Sequence, residues 1–329
     1  MSISSICVVG PGAIGGMMAV KLCEAGFLVS TLVRSHRIEN IIKNGITLLQ
    51  GGETFHAAPK AADTAYDLGP QDLVVLTVKE FALKNVAPLL YPLFKDETQV
   101  VQVTNGIPWW FFTEFGDGYN GVRLESLDPG GSVSKYFDLN RHIGGVINCG
   151  ASVMADGVIR HEHSNQLFLG RPNNKANGLK EIAEVFSKSG YETLVALNIH
   201  QKVMDKLVAN LSFNPVSALA MGTNDMLLDD PYVKEVLLGL MNEGRAIIKA
   251  LGLDPGPDPA EKFEGRQKVA SSRTSMLQDV EQRKQLELSG ILASTIEVAE
   301  LVNVAVPLTK IMYGLLRVKE SVTMRQFTP

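Results

Sequence analysis

Three glycines near the start of the chain have the G-x-G-x-x-G spacing that can hold a dinucleotide pyrophosphate. Gly10, Gly12 and Gly15 directly follow an apolar run, residues 6–9. In such a turn the first glycine permits a sharp bend, the second lets a pyrophosphate approach the backbone, and the third lets a helix pack closely on the strand. A tight turn that needs glycine for steric reasons alone is the alternative. The strand before the turn and the helix pattern after it favour cofactor binding, with a contact set of Gly10, Pro11, Gly12, Ala13, Ile14 and Gly15.

A basic residue follows the second apolar run, residues 27–33. At this position an acidic side chain would bind the ribose 2′-OH of NAD, whereas the chain has Arg34, with His36 and Arg37 close by. A guanidinium forms paired hydrogen bonds with phosphate oxygens, as the 2′-phosphate of NADP would offer. A solvated basic loop is the alternative. Because the glycine turn precedes it, we expect NADP(H) as the cofactor.

A second polar pattern lies far along the chain, where Lys206, Asn210 and Asn214 are spaced four residues apart. On a helix these residues share one face, which borders an apolar stripe. Burial beside apolar surface lowers the pKa of a lysine toward values useful for general-acid catalysis. On spacing alone, a lysine with its ammonium in solvent and helix-capping asparagines is the better-supported interpretation. Pro215 disfavours helical geometry at Asn214, so we expect the helix to end or kink there.

Composition limits the class of protein. The 329 residues are 45% hydrophobic and 20% charged, with a formal net charge of -4. These values are ordinary for a soluble protein, and no basic block suggests nucleic-acid binding. The three cysteines suit neither a disulfide framework nor a zinc site, and no secretion signal or membrane span is predicted. We therefore expect a cytoplasmic protein without a bound metal.

The elements that must position these residues fall into two parts. Residues 1–172 alternate strand-like and helix-like segments, which predicts a Rossmann-type α/β domain with a parallel sheet. Residues 173–329 show helical periodicity, which predicts an all-α domain; its main helices are expected at 179–188, 200–213, 233–251 and 286–303. The polar, proline-containing segment near residue 172 has the composition of a linker.

Further strands are expected in the first part. Residues 73–78 and 99–103 are short apolar runs, typical of strands that are covered on both faces. Residues 144–154 and 157–160 predict a hairpin around Asp156 and Gly157, and residues 165–170 predict another strand.

Together these motifs resemble the ketopantoate reductases (2-dehydropantoate 2-reductases) over nearly the whole chain. The order and spacing of several motifs carry the resemblance more than the glycine turn does. They are VVGPGAIGG at 8–16, Arg34, Lys79 in LTVKEF, Asn105-Gly106, DGVIRH at 156–161, DKLVANLSFNPVSAL at 205–219, Asn224, SMLQD at 275–279, Glu287, and AVP at 305–307.

The resemblance implies a role for each matching residue. Lys206 is similar to the general acid that protonates the ketone oxygen as hydride reaches its carbon. Asn210, Asn214, Asn224 and Ser275 resemble the groups that hold the substrate, and Asn105 would lie near both substrate and nicotinamide. Lys79 resembles a cofactor contact, and Glu287 resembles an acidic residue near the nicotinamide ribose and active site. On one straight helix Ser275 and Glu287 would be roughly 18 Å apart, at ~1.5 Å per residue. Either residues 275–279 form a loop before the helix that bears Glu287, or the two residues serve different ends of the cofactor–substrate pair; we favour the loop.

Two departures from the family pattern concern the substrate rather than the hydride chemistry. The Asn-Gly pair is followed by an insert that reaches Asn140 and begins with four aromatic residues after Pro108, Trp109 to Phe112. These aromatics would line a bulkier pocket or anchor the insert, and we favour packing. After Glu287 the chain has Leu288-Ser289-Gly290, whereas the family commonly has an acidic residue and then Asn-Gly.

The sequence thus predicts NADPH-dependent reduction of a 2-oxo acid, foremost 2-dehydropantoate to (R)-pantoate. The alternatives are a related hydroxyacid dehydrogenase that acts on a different or bulkier keto acid, and a non-catalytic NADP-binding sensor. The expected partner is a small keto acid, with no nucleic acid and no membrane. The apolar helices and the aromatic insert are compatible with a homodimer.

Overall fold

A computed structural model of the chain describes residues 3–116, 118–260 and 272–325. By contacts the chain divides into two compact units. The first unit consists of Met1–Thr104, Trp109–Arg123 and Asp128–Lys202. The second consists of Asn105–Pro108, Leu124–Leu127 and Val203–Pro329.

The first unit contains one mixed sheet. Its strands are β1 Ser5–Val9, β2 Leu28–Leu32, β3 Ile46–Gln50, β4 Glu53–Ala57, β5 Lys60–Ala62, β6 Leu73–Leu76, β7 Gln99–Val103, β8 His142–Val153, β9 Ile159–Gly170 and β10 Glu192–Val195. Its α-helices are α1 Ala13–Glu24, α2 Ser35–Asn44, α3 Glu80–Val86 and α4 Leu179–Lys188. Short 3₁₀ helices occur at Ala65–Asp67, Ala87–Leu89, Tyr91–Leu93, Pro129–Gly131, Ser134–Tyr136 and Leu139–Arg141.

The strand order is β4-β3-β9-β8-β7-β6-β1-β2-β5, and β10 pairs with β9. From β5 to β8 every neighbouring pair is parallel, which confirms the Rossmann-type prediction. The pairs β3–β4 and β8–β9 are antiparallel and extend the sheet on the side away from β5. Strand β1 lies between β6 and β2, so the chain crosses from one side of β1 to the other at this point, which is where α/β sheets bind ligands.

The core of the first unit explains why β1 and α1 form where the sequence predicts them. Residues 6–8 of β1 are completely buried, as is the run from Met17 to Val20 in α1. A continuous apolar run of this kind suits a strand covered on both faces. Each fully buried side chain contributes about 1.5–3 kcal/mol, so the pairing of β1 with α1 is set mainly by apolar burial.

The second unit is helical, as predicted. Its helices are α5 Ile199–Ala220, whose first turn belongs to the first unit, α6 Asn224–Asp229, α7 Pro231–Ala250, α8 Ser275–Glu281, a π turn Ser289–Ala293, α9 Ser294–Leu301 and α10 Pro307–Arg325. Leu237 and Leu240 of α7 pack with Val216 and Leu227 in a buried apolar cluster.

Charged side chains hold helix α10 at both ends. Glu243 of α7 accepts hydrogen bonds from the backbone N–H groups of Leu308 and Thr309 and from the Thr309 hydroxyl, at 2.7–2.9 Å. These N–H groups lack partners within their own helix, so a carboxylate stabilises this end. Near the other end, Lys319 donates to the carbonyls of Ala218 and Leu219, the two residues before the end of α5. Glu320 accepts from the N–H of Leu286 at 2.8 Å.

The hairpin predicted around Asp156 and Gly157 is confirmed, but the prediction of a separate strand at 165–170 is wrong. Residues 159–170 form the single strand β9, which pairs with β8 along most of its length. The register shifts between Asn148 and Ala151, and Ser164 has a φ of 57°. This irregular stretch is rich in polar residues, so the sequence pattern predicts a break between two strands there. The pairing of β8 with β9 nevertheless continues on both sides of it.

Helix α5 does not end at Asn214. It continues through Pro215 to Ala220, so the prediction of a helix end there is wrong. Residues 214–218 are all buried, and Lys319 binds the carbonyls at the end of the helix. Burial of this turn offsets the cost of about 3 kcal/mol that a proline imposes inside a helix.

The segment around Glu287 also differs from expectation. Residues 275–281 form the short helix α8, not a loop, because Thr274 caps its start by accepting from the Leu277 N–H at 3.1 Å. Glu287 directly precedes the helical run that starts at Leu288 and continues through the π turn Ser289–Ala293, so it lies at the start of the helix expected at 286–303. As expected, Ser275 and Glu287 do not share one straight helix.

The four consecutive aromatics are packed in the first unit, as we favoured. Trp109, Trp110, Phe111 and Phe112 are at most 4% exposed. Their rings surround two buried histidines: Trp109 lies 5.2 Å from His142, and Phe111 lies 5.0 Å from His200, between ring centroids. The insert therefore begins by filling the core of this unit.

The division after residue 172 stays a prediction. By contacts the first unit continues to Lys202, because α4 packs on the sheet and β10 pairs with β9.

Among the described helices, none combines the length and the apolarity that crossing a membrane requires.

The buried histidines predict how stability depends on pH. Burial, with a smaller contribution from the Arg171 charge, lowers the pKa of His142 to about 3. Burial also lowers the pKa of His200, although hydrogen bonds to the Pro172 and Phe111 backbone partly oppose it. Because these pKa values lie below about 6.5, the unfolded value, the unfolded state binds more protons in acid. The free energy of unfolding is therefore expected to fall by about 1.4 kcal/mol per pH unit through His142 as pH drops from about 6.5 toward its folded pKa, and His200 adds to the fall in the same direction.

Urea unfolding of wild type and His142→Gln at several pH values between about 4 and 7 measures this slope. In the variant, the slope of the free energy of unfolding against pH should be smaller by the contribution of roughly one proton. The exposed His163 provides the matched control, since His163→Gln should leave the slope unchanged. Equal slopes for wild type and His142→Gln would contradict the assignment of acid sensitivity to this cluster.

Candidate active site

The glycine turn after β1 has the geometry that its sequence predicts. Gly10 has a φ of +83°, a conformation that favours glycine, and a Cβ there would lie 2.6 Å from Val78 Cγ1. A Cβ on Gly15 would lie 2.2 Å from Thr77 Oγ1 and 2.6 Å from the Gly10 carbonyl oxygen, so close packing of α1 requires glycine. A Cβ on Gly12 would meet no atom within 4 Å. Of the three, Gly12 therefore faces space in which a ligand could approach the backbone.

Thr77 holds this turn in place, a role that the sequence analysis missed. Its hydroxyl donates to the carbonyls of Val9 and Gly10, at 3.0 and 2.9 Å. Thr77 follows β6, so the bond joins two neighbouring strands where they end. The only signal in the sequence is a threonine after an apolar run, which does not reveal a partner 67 residues away.

Two basic residues each follow a strand that pairs in parallel with β1, the strand before the glycine turn. Arg34 comes two residues after the end of β2 and is exposed, at the start of α2. Lys79 comes three residues after the end of β6, at the start of α3, and is half-buried. Because the carboxyl ends of parallel strands lie along one edge of a sheet, both residues are at the same edge as Gly12. The open backbone at Gly12 and these cations fit a dinucleotide that carries an additional phosphate.

In the second unit, Lys206, Asn210 and Asn214 all lie on α5, one helical turn apart. Lys206 and Asn210 are half-buried, and Asn214 is 5% exposed. Since the helix continues past Asn214, the three side chains remain on one face over two turns. This confirms the shared face that the spacing predicts.

Three asparagines of the second unit have a buried amide atom without a hydrogen-bond partner in the described residues. The Nδ2 atoms of Asn210 and Asn214 and the Oδ1 atom of Asn224 are buried, and none has a hydrogen-bond partner within the described parts of the chain. A buried polar atom without a partner costs about 1–3 kcal/mol. A ligand or an ordered water can supply such missing bonds, so these atoms are candidates for a polar binding site.

Asn224 is fixed by a residue that the sequence analysis did not select. The backbone N–H of Asn224 donates to the Ser272 carbonyl at 3.0 Å, and its Nδ2 donates to Ser272 Oγ at 2.9 Å. This fixes the side-chain orientation and leaves Oδ1 as the remaining acceptor. Ser275 lies three residues further on, exposed in the first turn of α8.

Asn105 and Glu287, 182 residues apart, are in direct contact within the second unit. Asn105 Nδ2 donates to Glu287 Oε2 at 3.2 Å, and the carboxylate is 5% exposed. The segment beside Asn105 is fixed to the π turn, because the Ile107 N–H donates to the Gly290 carbonyl at 2.8 Å. A buried carboxylate with a neutral partner can accept further hydrogen bonds from a ligand.

The close approach of the Asn105 segment to the π turn requires glycine at position 106. Gly106 has a φ of +77°, and a Cβ there would lie 2.0 Å from the Gly290 carbonyl oxygen. Gly106→Ala is therefore expected to displace the Asn105 segment from Glu287 and to lower the free energy of unfolding by about 2–5 kcal/mol, through backbone strain and overpacking.

Gly121 offers a matched control, because it has nearly the same φ, +76°, with no atom within 4 Å of a Cβ. Gly121→Ala introduces backbone strain alone, so its effect in urea unfolding should be the smaller by about 1–3 kcal/mol. Equal destabilisation by the two substitutions would contradict the close contact of Gly106 with Gly290.

Comparison with known proteins agrees with this arrangement. Residues 6–109 match the family model "Ketopantoate reductase PanE/ApbA", and residues 198–320 match "Ketopantoate reductase PanE/ApbA C terminal". The chain is 34% identical over 314 residues to the 2-dehydropantoate 2-reductase of Mesorhizobium japonicum, covering 95% of this chain and 96% of that one.

Solved structures show the same fold. A Ralstonia solanacearum protein named as a ketopantoate reductase is 32% identical, with a TM-score of 0.92 over 98% of this chain and 99% of that one. A D-mandelate dehydrogenase, solved with NADH and anilino(oxo)acetate, shares the fold at 18% identity, with a TM-score of 0.83 over 97% of this chain and 99% of that one. On the family match and the identity to its curated relatives, the chain belongs to the ketopantoate reductase family of oxidoreductases.

Proposed function

We propose that this protein reduces the ketone of 2-dehydropantoate to (R)-pantoate with NADPH. The observation that carries the proposal is the face of α5, which presents Lys206 together with Asn210 and Asn214, whose buried Nδ2 atoms have no hydrogen-bond partner among the described residues. An ammonium beside hydrogen-bond donors suits a 2-oxo acid, whose ketone gains negative charge during reduction. Membership of the family supports the same reaction.

The residues of the first unit would hold the cofactor. In this proposal the open backbone at Gly12 receives the pyrophosphate, together with its neighbours Pro11, Ala13 and Ile14 and the packed glycines Gly10 and Gly15. Arg34 pairs with the 2′-phosphate, and Lys79 contributes a second positive charge at the same edge of the sheet. When bound, the reduced nicotinamide supplies the hydride.

The residues of the second unit would bind the keto acid and move the proton. Lys206 donates a proton from Nζ to the ketone oxygen, which neutralises the developing alkoxide. Asn210 and Asn214 donate through Nδ2 to the carboxylate end, and Asn224 accepts through Oδ1 from the substrate hydroxyl. Ser275 supplies a further hydroxyl contact. Glu287, held by Asn105, accepts from a hydroxyl of the cofactor ribose or of the substrate.

A different or bulkier 2-oxo acid is the second candidate. The side chains after Glu287 are Leu288 and Ser289, whereas the family commonly has an acidic residue followed by Asn-Gly. The contacts of those polar side chains are thus absent here, which would favour a more apolar substrate. Steady-state rates with NADPH and either 2-dehydropantoate or 2-oxo-2-phenylacetate, and with NADP⁺ and a 3-hydroxy acid, discriminate between the candidates. The highest kcat/KM with 2-dehydropantoate supports the proposal, and preference for either of the others overturns it.

Three expectations stay predictions from the sequence. They are a cytoplasmic location, a homodimer, and the absence of nucleic-acid and membrane partners.

Substitution of the proposed general acid tests the mechanism. Lys206→Met removes the proton donor and the positive charge, so kcat with 2-dehydropantoate should fall about 10²–10⁴-fold, with NADPH affinity retained. The control is Lys202→Met, one turn earlier on α5, where the ammonium lies 5.1 Å from the Phe168 ring centroid. It should change kcat less than about threefold, since the reacting ketone does not depend on it. Undiminished turnover in Lys206→Met would exclude this role for the lysine.

Arg34 is expected to determine the preference for NADPH. Arg34→Gln removes the partner of the 2′-phosphate and should raise the KM for NADPH about 10–100-fold while leaving that for NADH nearly unchanged, in line with a charge-assisted bond of about 1.5–3 kcal/mol. Steady-state titration with each cofactor measures both values. Lys43→Gln, an exposed charge at the other end of α2, serves as control. A proportional loss with both cofactors would argue against phosphate recognition at this position.

A further inference from the structure

The three unpartnered amide atoms of the second unit differ in the hydrogen bonds that they can make. The Nδ2 atoms of Asn210 and Asn214 only donate, whereas the Oδ1 atom of Asn224 only accepts. All three are buried, and none has a partner in the ranges of the chain that the structure describes. A ligand that satisfies them must therefore offer acceptor atoms to α5 and a hydrogen-bond donor to Asn224.

Ser272 determines which end of the Asn224 amide remains for a ligand. Its Oγ accepts from Asn224 Nδ2 at 2.9 Å, and its backbone carbonyl accepts from the Asn224 N–H at 3.0 Å. Asn224 is thus held both at its backbone and at the nitrogen end of its side chain. Because Ser272 engages Nδ2, the oxygen end of the amide is the one that a ligand can use.

This orientation limits the group that a ligand can present to Asn224. The carboxylate and the ketone of a 2-oxo acid carry only acceptor oxygens, so neither can bond to Oδ1. A hydroxyl group can donate its hydrogen to Oδ1 and so satisfy a buried atom. A keto acid without a hydroxyl would leave Oδ1 unpaired. For this reason, sites that hydrogen-bond a substrate hydroxyl discriminate strongly against analogues that lack it.

We propose that Ser272 is a positioning residue that makes the protein selective for 2-oxo acids that carry a hydroxyl group. It acts through Asn224, whose Oδ1 it leaves available to that hydroxyl, and it is assigned no contact with the substrate. The inference rests on the proposed reduction of 2-dehydropantoate. It adds the residue that sets the choice between this substrate and a keto acid without a hydroxyl.

The ratio of kcat/KM for 2-dehydropantoate to kcat/KM for 3,3-dimethyl-2-oxobutanoate, here called the hydroxyl selectivity, tests this role. The second compound is the same keto acid without its hydroxyl group. With NADPH, the wild type should show a hydroxyl selectivity of about 10–100. Ser272→Ala removes the acceptor that holds Nδ2, so the hydroxyl selectivity should fall about tenfold.

A general structural defect would have a different signature. It would lower kcat/KM for both keto acids in proportion and leave the hydroxyl selectivity unchanged. In Ser272→Ala, by contrast, kcat/KM for 3,3-dimethyl-2-oxobutanoate should change less than about threefold, because that compound makes no bond to Asn224 Oδ1.

Further variants test whether Ser272 acts through Asn224. Asn224→Ala should lower the hydroxyl selectivity as much as Ser272→Ala does. The double variant should lower it no further, because the two residues belong to one hydrogen-bonded pair. Ser272→Thr keeps an Oγ acceptor and should retain the selectivity of the wild type. Ser272→Val has nearly the same shape without that acceptor, so it should lose it.

Ser126 provides a matched control in the same unit. It is also half-buried, and its Oγ donates to Glu297 Oε2 at 2.6 Å. Ser126→Ala therefore removes a bond between two side chains that involves no proposed substrate residue, and it should leave the hydroxyl selectivity unchanged. Thermal melting identifies any variant that fails to fold. If Ser272→Ala does not fold, the comparison of Ser272→Thr with Ser272→Val decides.

The outcomes separate this inference from the function on which it rests. If the wild type reduces neither keto acid, the proposed function is overturned and the inference with it. If it reduces both with equal kcat/KM, the inference alone is overturned. The same holds if Ser272→Ala and Ser272→Val keep the wild-type selectivity, or if the double variant loses much more selectivity than Asn224→Ala.

Discussion

The close approach of α1 to the ends of β1 and β6 is the constraint on which the first unit depends. At Gly15 there is no room for a methyl group, because Thr77 Oγ1 and the Gly10 carbonyl occupy the space where a Cβ would be. This approach allows the Thr77 hydroxyl to bond both Val9 and Gly10 and leaves the backbone at Gly12 open. One steric requirement therefore sets both the packing of the core and the shape of the predicted cofactor site.

The second unit meets a different constraint, which is electrostatic. Its candidate site includes buried amide atoms that have no partner in the part of the chain that the structure describes, and a carboxylate that is 5% exposed, all of which cost folding free energy. The surrounding structure offsets this cost with satisfied interactions elsewhere, such as the caps that Glu243 and Lys319 provide. These caps stabilise the helical unit, while the amide atoms of the candidate site retain unused hydrogen-bonding capacity.

Sequence reasoning succeeded where local patterns determine the outcome. The bounds of β7 and α4 match to the residue, because each is an apolar pattern with polar flanks. The same reasoning failed at Pro215, where tertiary burial overrides a local preference against helix, and at residues 275–279, where the Thr274 cap starts a helix. The irregular centre of β9 was interpreted as a break for a similar reason, since strand pairing is decided by the neighbouring strand.

For the candidate site, the residue types on α5 and in the glycine turn could be selected from spacing and resemblance. Their supporting partners could not. Thr77 hydrogen-bonds to a residue 67 positions away, and Ser272 to one 48 positions away. The contact of Gly106 with Gly290 likewise joins segments with no common pattern. Long-range pairing of this kind leaves no periodic signal in a single sequence.

Helix α10 joins segments that are distant along the chain. Its start is held by α7 through Glu243, its later part binds the end of α5 through Lys319, and Glu320 accepts from the backbone N–H of Leu286, just before Glu287. Local opening of α10 would release all three attachments at once, so the backbone amides of these segments would exchange with deuterium as one cooperative unit. The protection of α5, which bears Lys206, is thereby linked to a helix that contributes no residue to the proposed chemistry.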